Sequence, residues 1–135
     1  MTNDLLFVYG TLLVADNEFA SYLTRNSTFC CRGKIKGKLY DAGHYPALVI
    51  DSKDNYDVWG TVYRLKNPQE VLRQLDFYEG YGEGEERPYL YIREALAVKT
   101  DKGTLICWGY LYNRSIAGFR EITAGNYMEY LQQKI

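Results

Sequence analysis

Two short stretches carry the residue types that could do chemistry. The first is Tyr9-Gly10-Thr11-Leu12, at the end of the apolar run Leu5 to Tyr9. A glycine there permits unusual φ/ψ and close approach of a ligand. Successive N–H groups in such a turn form a concavity that holds an anion. The second is Glu79, in Leu75-Asp76-Phe77-Tyr78-Glu79-Gly80-Tyr81. Its aromatic neighbours Phe77, Tyr78 and Tyr81 would desolvate the carboxylate and raise its pKa toward general acid/base use. A place at the C-terminal end of a helix adds to the rise, because the macrodipole is negative there. Each stretch also has an ordinary reading: a strand-to-loop exit with Tyr9 packed inside, and a solvated helix-end glutamate. Taken alone, the ordinary reading leads in both. Asp76 is a rival carboxylate one turn back.

Other spacings carry less. Tyr91 and Arg93 share a strand face by the two-residue period, as do Tyr110 and Tyr112 on the next strand. Sheet packing and surface ion pairs explain such residues equally well, and the chain has 14 tyrosines. There is no Gly-x-Ser-x-Gly elbow, and the single His44 completes neither a triad nor a zinc site. Gly80-Tyr81-Gly82-Glu83-Gly84 is glycine-rich but follows a helix and carries acids, unlike a phosphate-binding loop. Cys30, Cys31 and Cys107 form no disulfide framework and fit a reducing, cytoplasmic compartment.

The elements that must position these residues follow from periodicity. Leu5 to Tyr9 reads as a central strand covered on both faces. Asp16 can cap a short helix with Phe19, Tyr22 and Leu23 on one face. Cys30 to Tyr40 alternates around Gly33 and Gly37, as a twisted or bulged strand does. Tyr45-Pro46-Ala47-Leu48-Val49 turns and becomes extended, and Val58 to Leu65 is a further strand. The clearest helix has Asn67 as N-cap, Pro68 at N1, Glu70 at N3 and an apolar stripe of Val71, Leu72 and Leu75, ending near Tyr78. After a loop from Gly80 to Pro88, Tyr89 to Lys99 and Thr104 to Tyr112 pair as a hairpin around Asp101-Lys102-Gly103. Ile122 to Leu131 ends in a short helix carrying Tyr127, Tyr130 and Leu131. The class is α+β: a curved, mixed sheet or small barrel flanked by a few helices.

Length and composition bound the rest. The 135 residues make one domain, 1–135, long enough to bury a core without disulfides. Hydrophobic residues make up 47%, which argues against disorder. A formal net charge of −1 points away from nucleic acid. The apolar run near the N-terminus is too short for a signal peptide or a membrane span.

In order along the chain, these pieces resemble the γ-glutamylcyclotransferase-like family. The residues that carry the resemblance are Phe7-Val8-Tyr9-Gly10-Thr11-Leu12, similar to the family's Tyr-Gly-Ser/Thr-Leu; Tyr45-Pro46-Ala47-Leu48; Leu75-Asp76-x-Tyr78-Glu79-Gly80; Tyr91-x-Arg93; the aromatic strand ending at Tyr112; and Ile122-x-x-Gly125-Asn126-Tyr127-x-x-Tyr130-Leu131. The resemblance implies a small mixed β-barrel flanked by helices. It also implies a reaction: the α-amine of a γ-glutamyl group attacks its own γ-carbonyl, closes 5-oxoproline and expels an amine. Glu79 would be the acid/base, and the backbone of Tyr9, Gly10, Thr11 and Leu12 would hold the substrate's α-carboxylate or polarised carbonyl. Arg93 and Tyr112 would be further substrate-binding residues. The reaction asks for no metal or organic cofactor. Glutathione-type peptides, ε-(γ-glutamyl)lysine and γ-glutamyl groups used as biosynthetic protection all fit as substrates, and any oligomeric state is compatible. Two other classes stay open: a non-catalytic small-molecule binding module with the same pocket, and a protein-interaction domain using exposed tyrosines.

Overall fold

A computed structural model describes residues 3–9, 18–42, 46–50, 56–82, 89–122, 127 and 129–130. Gly10, Thr11, Leu12, Asp16, His44, Tyr45, Gly125, Asn126 and Leu131 lie outside the described residues, as does the side chain of Phe19.

The apolar first strand, β1 (Leu5–Val8), is buried on both faces, as its sequence requires. Phe7 and Tyr9 point to one side and Leu6 and Val8 to the other, by the two-residue period. After α1 (Glu18–Arg25) come β2 (Ser27–Lys36), β3 (Lys38–Asp41), β4 (Pro46–Val49) and β5 (Asp57–Leu65). Then follow α2 (Pro68–Tyr78), β6 (Tyr91–Thr100), β7 (Gly103–Tyr112) and β8 (Arg120–Ile122).

Five strands close a barrel in the order β1-β5-β2-β6-β7. Every pairing in it is antiparallel except β1 against β7, which closes the ring at Leu6 and Trp108. Two hydrogen bonds hold that seam: Trp108 Nε1 donates to the Asn3 carbonyl at 3.0 Å, and Asn3 Nδ2 to the Ile106 carbonyl at 2.9 Å. Alternate residues of the five strands, among them Phe7, Cys31, Val62, Val98 and Cys107, fill the interior. On the outside, Leu6 and Val8 meet Leu23 of α1 and Val71, Leu72 and Leu75 of α2. A second sheet, β4-β3-β8, continues the interior cluster through Leu39, Leu48 and Ile122.

Three expectations change. The stretch Cys30 to Tyr40 is two strands, not one. The chain leaves the barrel at Gly37, whose N–H bonds the Tyr56 carbonyl at 3.2 Å, and enters the second sheet. A Cβ at Gly37 would lie 2.8 Å from the Val49 carbonyl, so glycine lets the junction of β2 and β3 pass close to β4. The expected bulge is present earlier, between Phe29 and Cys31. Asn67 is the N-cap of α2 by position, but its backbone is left-handed (φ 49°, ψ 66°) and its side chain makes no cap bond. Glu70 binds Arg73 and Gln74 instead of closing a capping box. Finally, Arg120–Ile122 forms a strand, β8, that the sequence pattern does not separate from the tail; Tyr127 and Tyr130 are helical and buried, as their spacing suggests. Among the described residues, no helix is long and apolar enough to cross a membrane.

Candidate active site

The end of α2 explains where Glu79 sits. Gly80 follows it at φ 70°, a left-handed conformation that a β-carbon disfavours. The Gly80 N–H bonds the Phe77 carbonyl at 3.3 Å and the Tyr81 N–H bonds the Asp76 carbonyl at 2.9 Å. This is a Schellman motif, with Glu79 as the C-cap residue. The motif stops the helix and turns the Glu79 side chain in toward Tyr9 and Tyr110, whose hydroxyls its charge reaches. Burial, then the Asp76 charge, pushes the Glu79 carboxyl up to about 8. The negative end of α2 acts in the same direction.

The desolvation does not come from all the aromatic neighbours expected. Phe77 is 71% exposed. Tyr78 packs against the outer cluster with Leu75, and Tyr81 sets its edge on Tyr89, ring centroids 5.3 Å apart.

Asp76, the rival carboxylate, is fully engaged. Arg93 donates to it from both Nε (2.8 Å) and Nη2 (3.1 Å), and the Tyr110 hydroxyl donates to Oδ1 at 2.6 Å. The Arg93 guanidinium lies over Trp108, 4.5 Å from the ring centre. The Glu79 carboxylate, by contrast, makes no hydrogen bond or ion pair among the described residues. The helix thus presents two acids three residues apart, one tied into the barrel wall and one left to titrate.

Tyr9 closes the arrangement. Its ring is buried, and its hydroxyl donates to the backbone carbonyl of Tyr110. Burial, and then the Glu79 charge, pushes that hydroxyl up, so it stays a protonated donor. Burial and Asp76 do the same for Tyr110. The side chain of Tyr9 is therefore packed inside, as its ordinary reading held, while its backbone leads directly into Gly10-Thr11-Leu12. Tyr112 lies two pairs further along the hairpin, its ring against Tyr91 (5.5 Å) and Phe119 (5.7 Å). The Tyr91 hydroxyl in turn donates to the Pro46 carbonyl.

Of the residues singled out in the sequence, Glu79 and Tyr9 come together, and Arg93 is linked to them through Asp76 and Tyr110. Tyr110 is the one that sequence reasoning passed over. The hairpin turn held the signal: pairing Thr100 with Gly103 places Arg93 opposite Tyr110 and Tyr91 opposite Tyr112. Among the described residues, no group of three or more His, Cys, Asp or Glu side chains is placed to hold a metal ion.

A mixed five-stranded barrel with a desolvated glutamate, unpaired among the described residues, beside the end of its first strand defines a class of small α+β proteins. Residues 6–129 match the family model described as γ-glutamyl cyclotransferase, AIG2-like, and the chain belongs to that family. The chain is similar to the γ-L-glutamyl-butirosin B γ-glutamyl cyclotransferase of Niallia circulans, 35% identical over 111 residues that cover 81% of this chain and 67% of that one. The fold is similar to the crystal structure of YkqA from Bacillus subtilis (TM-score 0.73, 28% identity, 98% of this chain). This chain spans only 42% of YkqA. It is also similar to the solution structure of ytfP from Escherichia coli (TM-score 0.67, 29% identity, 93% of this chain and 97% of that one).

Proposed function

We propose that this chain is an active γ-glutamyl cyclotransferase with Glu79 as its single acid/base. The observation that carries the reading is the Glu79 carboxyl itself: raised to about 8 and free of hydrogen bonds among the described residues. An α-amino group has a reference pKa of about 7.7–8.0, so the proton passes between two groups of nearly equal affinity.

Ionised Glu79 takes a proton from the substrate's α-ammonium. The freed amine attacks the γ-carbonyl carbon of the same molecule, forming the new C–N bond and placing negative charge on the carbonyl oxygen. Because nucleophile and electrophile belong to one molecule, holding the right rotamer supplies much of the rate. Protonated Glu79 then donates to the departing nitrogen as its bond to carbon breaks and the oxyanion collapses. The ring nitrogen gives its second proton back to Glu79, which passes it to the released amine or to solvent, leaving 5-oxoproline, a free amine and an ionised Glu79. Backbone N–H groups of Tyr9, Gly10, Thr11 and Leu12 hold the α-carboxylate or the developing oxyanion. In this reading Tyr112 borders the leaving amine. The relative named for γ-L-glutamyl-butirosin B supports a small γ-glutamyl amine as the substrate class. The reading places the activity in one domain and needs no cofactor.

The test is to incubate the protein with a panel of γ-glutamyl peptides, amino acids and amines and to detect 5-oxoproline by mass spectrometry, with Glu79→Gln alongside. Product from the parent and none from the variant is the expected result. A Glu79→Gln protein as active as the parent would sink the assignment.

A further inference from the structure

Arg93 looks at first like a grip for the substrate's carboxylate, and the geometry points elsewhere. Its guanidinium spends its fork on Asp76, at 2.8 and 3.1 Å, and lies over Trp108. Such a bidentate pair is directional and pre-organised. The same carboxylate receives the Tyr110 hydroxyl at 2.6 Å, and the Tyr110 carbonyl receives the Tyr9 hydroxyl. One chain of bonds therefore joins α2, β6, β7 and the end of β1.

We propose that Arg93, Asp76 and Tyr110 act as one positioning unit, which fixes Glu79 relative to Tyr9 and pairs the charge of Asp76 beside Glu79, and that Arg93 does not touch substrate. The inference rests on the proposed role of Glu79 for its catalytic meaning, while its electrostatic content stands apart from turnover.

The reasoning is a balance of charges. Among the described residues, the charged and titratable groups facing Glu79 are Asp76 on its own helix, Tyr9 from the end of β1 and Tyr110 from β7, with Arg93 of β6 behind Asp76. Asp76 opposes ionisation of Glu79 even with Arg93 bound to it, and without the guanidinium that opposition would be larger. With the pair intact, the only net charge that changes beside an incoming ammonium is that of Glu79. Asp76 also belongs to the last turn of α2, and its carbonyl accepts the Tyr81 N–H of the Schellman motif. Anchoring its side chain to β6 and β7 therefore fixes the backbone that aims Glu79.

Removing the two halves of the pair should move Glu79 in opposite directions. Asp76→Asn leaves an uncompensated cation nearby and lowers the Glu79 titration by about one pH unit or more. Arg93→Met keeps the contact with Trp108 but bares the Asp76 anion, and raises it. Arg93→Lys restores the charge without the fork and returns the midpoint toward the parent's, whereas kcat stays low. The titration is read by NMR of carboxyl-labelled glutamate in the ligand-free protein, with the Glu79 signal assigned from Glu79→Gln. In turnover, Arg93→Met lowers kcat and leaves KM in place. Shifts of the same sign, no shift, or a rise in KM at unchanged kcat would overturn the inference, the last by showing Arg93 in contact with substrate. If one charge variant does not fold, the other and Arg93→Lys still fix the sign. Opposed shifts in a protein that turns over no γ-glutamyl compound would retain the charge-setting role and remove the cyclotransferase reading. Absent shifts in an active protein would do the reverse.

Discussion

Glu79 sits in a place that costs the fold something. In the unfolded chain it titrates near 4.5, and in the folded protein near 8. Between those values the unfolded state has released the proton and the folded state has not, so stability falls as pH rises through the window. The cost is absent below about 4.5 and complete above about 8. Its size is on the order of a few kcal/mol as an upper bound, lowered by the partial exposure of the group. Glu79→Gln removes this dependence. The difference in melting temperature between Glu79→Gln and the parent should move in the variant's favour from pH 4.5 to 8 and be flat outside that range. A difference that does not change across the window would show that Glu79 titrates normally. In the sequence Glu79 was legible as a carboxylate at a helix end among aromatic residues, where a solvated glutamate was the leading reading. What the spacing could not distinguish was Asp76 from Glu79. They differ only in what reaches them from β6 and β7, and that is decided by strand register, not by their own neighbours.

At the scale of the element, the C-terminus of α2 aims the site. Gly80 is held at φ 70° by the Schellman bonds. Gly80→Ala forces a β-carbon into a left-handed conformation, at about 1–2 kcal/mol. Thermal or urea unfolding should show that loss, together with a fall in 5-oxoproline formation, because relieving the strain rotates Glu79 away from Tyr9. Unchanged activity in Gly80→Ala would mean that the motif ends the helix without aiming the carboxylate. The helix itself was readable from Asn67, Pro68 and the stripe of Val71, Leu72 and Leu75, all three of which are buried. The cap was not. A left-handed Asn67 makes no side-chain bond, and Glu70 prefers Arg73 and Gln74 on its own exposed face.

Across the whole molecule, β1 is the common wall of two clusters: Phe7 and Tyr9 belong to the barrel interior, Leu6 and Val8 to the layer under the helices. Phe7 is almost completely buried and stacks on Tyr9 at 6.2 Å between ring centres. Phe7→Ala should therefore cost about 3–5 kcal/mol in denaturant unfolding and loosen the Tyr9 turn as well. A loss below about 1 kcal/mol would show that the interior refills the space. The barrel's closure was the least legible part of the fold. A four-residue strand carries no signal that it pairs in parallel with a partner a hundred positions away, whereas the β6–β7 hairpin announced itself through Asp101-Lys102-Gly103. The break at Gly37 was hidden for a related reason, because alternation runs through it unbroken while the sheet changes. All of these elements bring one carboxylate to the end of one strand, and the pH dependence of turnover reads that carboxylate directly. With the best γ-glutamyl substrate from the panel, kcat/KM should fall about tenfold per pH unit below about 8 in the parent, with the Glu79→Gln protein inactive throughout. An acid limb near 4.5, or a profile that Glu79→Gln leaves intact, would contradict the account.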